Sequence, residues 1–488
     1  MVPEIALGDE IYKKLRNFFP ENLVVYHSKL ARGEKYRVNR MVSGALSPFL
    51  LLGTRSSIFL PFNNLSLIIV DQEHDPSYKQ SDPAPRYNGR DCALILAKIF
   101  GTGVLLSSAT PSLESLKNSL SGRYKSVQLM SQAPENSTVP VEIIDTLKER
   151  KKRRITGEIP DALADQIRER ISKGEQVMVY INRRAYSPYV QCIYCGKTPC
   201  CPRCNIPFSF HKSTGELKCH YCGTSVRFNT ICKECGRPGL KERGAGTEKI
   251  EESLGKLVPG TVVVRLDQDI SGSKSRQEKV LREFREHKAG ILVGTQMLGR
   301  GFNFSRLTLV CILRGESMLS LHDFRATERA LQTIEQLCGR INSKAEGGKM
   351  VIETSRASDP FFVSLATLSP EERVAEILAM LLRERQEFEY PPFTRQIKIS
   401  LRSLNREKLD RFSQEIQKRA VHWNVMDFTG PYTPASEMIR GEHQLQFRIR
   451  LKREISVQPV KQEIRKDISG CARLVGSSVR ISVDVDPY

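Results

Sequence analysis

Two groups of residues in this chain have types and spacings that could do chemistry. The first is a run of four Cys-x-x-Cys pairs: Cys192/Cys195, Cys201/Cys204, Cys219/Cys222 and Cys232/Cys235. Two intervening residues let both sulfurs of a pair face one metal ion, and two pairs close a tetrahedral shell of thiolates. The eight cysteines therefore predict two structural Zn²⁺ ions, and spacing alone allows neighbouring pairs to share an ion. Redox dithiols usually occur singly beside a βαβ unit. Disulfides fit poorly, because the chain shows no secretory signal and its cysteine use suits a reducing cytoplasm. Cys200 breaks the pattern and reads as a spare thiol, while Cys92, Cys311, Cys338 and Cys471 lie among apolar residues and read as core.

The second group is the acid cluster Asp71-Gln72-Glu73-His74, which follows the apolar run Leu67–Val70. In helicase-type sites an Asp at a strand end holds Mg²⁺ through water, and the next Glu orients the water that attacks the phosphate. Alone, such a cluster is more often a surface turn. Here Ser108-Ala109-Thr110, Gly294-Thr295-Gln296-Met297 and Gln336-x-x-Gly339-Arg340 follow it in helicase order. Four ordered motifs predict two RecA-like lobes.

The elements that must position these groups can be traced along the chain. Asn22–Tyr26, Leu67–Val70 and Val104–Leu106 read as buried strands separated by amphipathic stretches, the α/β pattern of a parallel sheet. We therefore expect a first lobe over 1–125 and a polar, Pro-containing connector over 126–160. The second lobe is expected over 161–385, with strands at Val177–Ile181, Val262–Leu266, Ile291–Val293 and Leu307–Leu313. The cysteine segment, 191–236, interrupts this lobe as an insertion. A break at Tyr390-Pro-Pro-Phe393 opens a small α+β domain over 386–488. With 488 residues, 40% hydrophobic residues and a net charge of +20, the chain can build several cores and favours a polyanionic partner. The run Lys148–Arg154 reads equally as linker or binding patch. No apolar run approaches a membrane span, so we expect a cytoplasmic protein that binds nucleic acid and no membrane.

The order of these motifs, and the cysteine array between those of the second lobe, closely resemble the primosomal protein N′ (PriA) family of replication-restart helicases. Val2-Pro-Glu-Ile-Ala-Leu7 resembles the segment after that family's phosphate-loop helix. Gly53-Thr-Arg-Ser56, Ser77-Tyr-Lys-Gln80 and Pro85-Arg-Tyr87 resemble later elements of its first lobe. Asn182-Arg-Arg184, Gly246-Thr-Glu-Lys249 and Asp323-Phe-Arg325 match its second lobe, and Tyr390-Pro-Pro-Phe393 and Asp484-Val-Asp-Pro487 its C-terminal domain. The resemblance implies ATP-dependent 3′-to-5′ unwinding with Mg²⁺ and primosome assembly on forked or single-stranded DNA. It also implies partnership with single-strand-binding protein and replicative-helicase loading factors. It suggests that Lys79, Arg86 and Tyr87 contact DNA, since Lys neutralises phosphate while Arg and aromatic rings stack on bases. For the metal sites it suggests nesting, with Cys192, Cys195, Cys232 and Cys235 around one ion and Cys201, Cys204, Cys219 and Cys222 around the other.

The departures from the family's pattern all touch one reaction. Nothing ahead of Val2 corresponds to its N-terminal DNA-binding domains or phosphate loop, and Gly196-Lys197-Thr198 is a decoy inside a cysteine pair. Gln72 replaces the catalytic glutamate, and an amide cannot accept a proton as a carboxylate does. Asn303 stands in Gly301-Phe302-Asn303-Phe304 where the family has Asp, and Arg300 where it has Lys. Ser343 replaces an arginine finger, a group worth about 10³–10⁵ in rate where measured. The expectation is a truncated family member with decayed ATPase motifs that binds DNA. The competing reading is a non-catalytic DNA- or protein-binding scaffold.

Overall fold

A computed structural model describes residues 1–3, 5–44, 47–129, 139–152, 155–156, 158–182, 189–203, 207–211, 215–219, 224–243, 247–266, 274–287, 289–295, 298, 304–319, 323–342, 347–434, 437–453 and 457–487. Several residues singled out above lie outside these ranges: Arg183, Arg184, Cys204, Cys222, Gly246, Gln296, Met297, Arg300, Gly301, Phe302, Asn303 and Ser343.

In the first lobe, strands Leu23–Tyr26 and Leu50–Gly53 pair in parallel, as do Leu67–Asp71 and Gly103–Ser107. Met1 and Val2 run between the two pairs: the Val2 N–H donates to Gly53 O at 2.9 Å, and the Asp71 N–H to Met1 O at 3.0 Å. The helix Gly89–Phe100 starts where the Asn88 side chain accepts from the Arg90 N–H and stops at Gly101, whose φ of +65° suits a residue without Cβ. Its Ala93 and Ala97 pack on Ile68 and Val70, leaving Asp71 at the strand's carboxyl end.

The second lobe is built on six parallel strands in the order Val262–Leu266, Gly290–Gly294, Gln176–Ile181, Leu307–Leu313, Lys349–Thr354, Val141–Asp145. Its two central strands are buried along their whole length, because helices cover both faces. This explains why they read as unbroken apolar runs rather than alternating ones. The sixth strand corrects the expected connector over 126–160. Val141 and Ile144 are buried, and the strand pairs with Lys349–Thr354, so this stretch closes the sheet's edge.

The cysteine insertion leaves the sheet after Ile181 and returns at helix Thr247–Leu257. It contains a three-stranded antiparallel sheet, Ser209–His211, Glu216–Lys218 and Ser225–Arg227, and a strand pair, Tyr189–Cys192 with Leu240–Arg243.

Helix Pro370–Glu387, started by a Ser369/Glu372 capping box, leads into the C-terminal domain. There the order is strand Thr394–Ser403, helix Arg406–Ala420, strands Asp427–Tyr432 and Glu442–Lys452, helix Val457–Val475 and strand Arg480–Val485. These four strands and the two-residue strand Met438–Ile439, which pairs with Glu442–Lys452, form one antiparallel sheet, with Asp427–Tyr432 at one edge and Arg480–Val485 at the other. This is the ferredoxin-like split βαβ arrangement. Ile397, Ile399, Phe447 and Ile449 alternate inward from the sheet onto Phe412 and Ile416 of one helix and Ile464 of the other.

Candidate functional site

The acid motif sits where strand Leu67–Asp71 ends, and its residues have different fates. Asp71 Oδ1 accepts from Ser107 Oγ at 2.9 Å on the neighbouring strand. Gln72 turns the chain with φ of +50°, and its buried amide oxygen has no hydrogen-bond partner among the described residues. Glu73 is buried and bound on both oxygens within its own lobe. One oxygen accepts from the Ser112 N–H at 2.6 Å; the other accepts from Arg90 at 2.9 Å, Ser115 Oγ at 2.9 Å and Ser112 Oγ at 3.0 Å. Such a carboxylate is an anchor for helix Leu113–Leu120, held by donors of its own lobe on both oxygens.

His74 joins the two lobes. The Gln336 amide nitrogen lies 2.9 Å from His74 Nε2, and Ser108 Oγ lies 2.6 Å from Nδ1. With the amide donating to Nε2, the proton of a neutral imidazole sits on Nδ1 and is donated to Ser108, which also accepts from the Thr110 N–H at 3.0 Å. Burial holds the His74 pKa below its ordinary value, against the pull of Glu73 and Asp75. Three expected motifs thus meet at one side chain. Arg340, in the turn after the same second-lobe helix, lines a cavity of about 770 Å³ together with Arg285, Phe304 and Arg306.

Sequence reasoning assigns no role to Asp323-Phe-Arg325 or Tyr390-Pro-Pro-Phe393. The structure makes them a three-way junction. From the first lobe, the Leu113 N–H donates to Glu328 Oε1 at 2.9 Å, and Glu114 pairs with Arg325 at 2.7 Å. Arg385 pairs with the other Glu328 oxygen and donates to Pro391 O at 3.1 Å. Phe324 stacks on Tyr390 with centroids 4.8 Å apart, and the guanidiniums of Arg325 and Arg385 each lie 4.9 Å from the Phe324 centroid. Lys117 sits over the Phe393 ring at 3.7 Å. Arg325, Glu328 and Arg385 are all nearly inaccessible to solvent. Burial alone would raise the Glu114 pKa, but Arg325, Arg90 and Arg385 hold it well below the usual carboxylate range. The sequence does carry a signal for this junction: charges on the apolar faces of helices Ala326–Cys338 and Pro370–Glu387 need partners, although neither helix alone says which.

The loop expected to contact DNA is divided. Lys79 is buried, pairing with Asp484 of the C-terminal domain at 2.9 Å and donating to Val485 O at 2.7 Å and Arg86 O at 3.0 Å. It is an interdomain clamp: burial demands a fixed counter-charge, and Asp484 supplies it. Tyr87 packs edge-on against Phe59 at 4.7 Å, half-buried in its own lobe, and burial raises its pKa. Arg86 stays partly open to solvent, its Nε donating to Ser81 O at 2.6 Å.

The thiolate cluster is the most complete arrangement. The sulfurs of Cys192, Cys195, Cys232 and Cys235 all lie within 4.8 Å of one another, with Cys192–Cys235 at 3.7 Å and Cys195–Cys232 at 3.6 Å. A tetrahedral Zn²⁺ with Zn–S bonds of about 2.3 Å has sulfurs roughly 3.8 Å apart, so the donor set fits the ion. This is the outer pair of pairs. Strands Tyr189–Cys192 and Leu240–Arg243 bring it together, and the turn Gly236, with φ of +69°, reverses the chain after Cys235. Cys201 and Cys219 are buried in the core of the insertion beside Phe208 and Leu217.

Known proteins share these features. Residues 201–227 match the PriA DNA helicase Cys-rich region (CRR) domain, 245–345 the Helicase conserved C-terminal domain, and 386–488 the Primosomal protein N C-terminal domain. Along its whole length the chain is 36% identical to the Replication restart protein PriA of Chlamydia pneumoniae, spanning 64% of that protein. It is 31% identical to the Replication restart protein PriA of Treponema pallidum, spanning 72% of it. RecG bound to a three-way DNA junction shows a loose likeness, with a TM-score of 0.43 and 14% identity over 80% of this chain and 42% of that one. The cysteine-rich region is a zinc-binding one. Among the described residues no helix is long and apolar enough to cross a membrane.

Proposed function

Because this chain belongs to the PriA family of replication restart proteins, we propose that it is a DNA-binding protein of replication restart and primosome assembly, engaging forked or single-stranded DNA. The four-sulfur site set into a second lobe whose Gln336 still reaches His74 carries this reading. The net charge of +20 supports a polyanionic partner. Two Zn²⁺ ions hold the insertion, the second on Cys201, Cys204, Cys219 and Cys222. Single-strand-binding protein and replicative-helicase loading factors are the protein partners expected of such a role.

The family activity is ATP-dependent unwinding, but two observations favour a second reading, a scaffold without turnover. Gln72 offers an amide where phosphoryl transfer needs a carboxylate, and Glu73 gives both oxygens to donors in its own lobe. ATP with Mg²⁺ would supply the phosphoryl chemistry. Asp71 keeps one carboxylate oxygen beyond its Ser107 bond for the ion, while Glu73 is held by helix Leu113–Leu120 and Arg90.

The test is the purified chain, with labelled fork and single-stranded DNA, between about 50 and 200 mM salt, with phosphate release followed in parallel. For about three neutralised phosphates affinity should fall roughly forty-fold on duplex and about twenty-fold on single-stranded DNA, with no DNA-stimulated hydrolysis. Affinity independent of salt would remove the DNA reading. Hydrolysis that tracks the protein through purification would remove the scaffold.

A further inference from the structure

We propose that the first cysteine knuckle carries a base-stacking platform: Tyr194, backed by Gly239 and flanked by Arg237, receives an unpaired nucleobase of a single strand. The proposal rests on the DNA-binding reading above and adds to it a residue and a ligand chemistry.

Tyr194 lies between Cys192 and Cys195, so the metal site that fixes those two sulfurs also fixes its backbone. Its ring lies against the chain at Gly239. A Cβ placed on that glycine would come within 2.4 Å of the ring and 3.1 Å of the Cys192 sulfur, so only glycine lets the ring lie there. The approach is held by the backbone, with the Ile193 N–H donating to Gly239 O at 2.8 Å. Tyr194 as a residue is nonetheless 55% exposed, so its contact with Gly239 does not cover it. Arg237 holds its guanidinium 5.5 Å from the ring centroid.

A large ring left this open normally needs a reason, and here its neighbours share the exposure. Ile193 is 43% and Ile231 49% exposed, which gives the module apolar surface at the same knuckles. Lys197, Lys233 and Arg237 are exposed around it, with Glu234 the one exposed acid among residues 189–203 and 230–240. An apolar, aromatic surface with a basic rim matches an unpaired nucleotide, whose base has a flat apolar face and whose phosphate is anionic. A partner protein with an apolar contact would gain less from three cations. Arg237, whose guanidinium lies over the ring, would give up that place to the base and contact its phosphate, as arginine does more readily than lysine. The ring, already oriented by the knuckle, would lose little freedom on binding.

The experiment compares the full chain with Tyr194→Ala and Tyr194→Phe. The probes are a single-stranded oligonucleotide carrying 2-aminopurine and a blunt duplex of the same sequence, with zinc content measured on each preparation. Stacking is worth roughly 5- to 150-fold in affinity per base. Tyr194→Ala should lose about that factor on the single strand and little on the duplex, with zinc unchanged. Tyr194→Phe should bind as the parent does and quench 2-aminopurine equally, because the ring rather than the hydroxyl does the work. If Tyr194→Ala binds the single strand like the parent, the platform is wrong while DNA binding stands. Equal losses on both probes with zinc retained would also overturn it. Failure of the parent to bind either probe would remove the DNA reading and the platform with it.

Discussion

The cysteine insertion and the carboxyl end of the first lobe's acid strand look equally promising as chemistry, and the chain treats them in opposite ways. In the insertion, strand pairing and tight turns deliver four sulfurs to mutual distances that suit one ion. In the first lobe, Glu73 and Lys79 are drawn into the protein's own contacts, Glu73 by serines and Arg90, Lys79 by Asp484. The difference follows from the ligand. Thiolates at knuckle spacing have little other use than a metal, whereas a carboxylate or ammonium serves a helix end or an interdomain clamp as readily as a reaction. A motif of charged residues therefore states what is available, and burial decides what is used.

The contrast is tested most strongly by taking the metal away. Structural Zn²⁺ supplies apparent folding free energies of about 10–16 kcal/mol in small zinc domains at neutral pH. Chelation, or Cys192→Ser, should unfold the insertion locally, exposing residues 189–243 to protease while the parallel sheet of the second lobe persists. Zinc content and the cleavage map are the measurements. An insertion that resists protease after zinc loss would mean that its own small core, Phe208 and Leu217 among others, is sufficient.

Next in size is the junction of the three domains. Arg385→Ala leaves Glu328 buried with Arg325, at 3.9 Å, as its ion-pair partner among the described residues, and removing one partner of a buried pair costs about 3–5 kcal/mol. Urea unfolding should show that loss, while the double substitution Glu328→Leu with Arg385→Met should recover much of it. If the single and double variants unfold alike, the charges act independently and the network is only apparent.

These two regions also differ in what their sequences disclose. Identical ligands at fixed spacing encode their geometry locally, which is why Cys192 and Cys195 are legible as ligands from spacing alone, although their pairing with Cys232 and Cys235 is not. The central strands are legible because burial on both faces leaves unbroken apolar runs such as Leu307–Leu313. Val141–Asp145 is hidden because an edge strand next to a polar, proline-containing stretch looks like a connector. The partners of Lys79 and Glu328 are illegible for another reason: Asp484 lies 405 residues from Lys79, and no local pattern encodes a contact made by domain docking.

That clamp is the next to break. Lys79→Ala should weaken the docking of the C-terminal domain by roughly 3 kcal/mol, since Asp484 would be left nearly buried without its partner. Arg86→Ala, on the same loop but partly open to solvent, should cost no more than about 1 kcal/mol. Thermal unfolding of both variants separates clamp from surface charge. Equal stabilities would return Lys79 to the accessible cations.

The smallest effect expected is a pH dependence at His74. Burial lowers its pKa in the folded chain, so between that value and the ordinary one near 6.5 the unfolded chain binds a proton that the folded chain refuses. Stability then rises with pH across this window, is fully present above about 6.5, and falls as the pH drops below it. Protonation would also place a proton on Nε2, where the Gln336 amide now donates, setting two donors against each other at the contact between lobes. His74→Gln keeps a side chain that can bond to Ser108 and Gln336 but does not titrate. The melting temperature of the parent should therefore drop more steeply between about pH 7 and 5.5 than that of His74→Gln, with the two converging above pH 7. Parallel curves across the whole range would mean that the imidazole is not the group through which acid loosens the two lobes. The acid-sensitive member of the junction would then be the buried carboxylate of Glu114, which loses its stabilising charge only as the pH falls through the ordinary glutamate range and below.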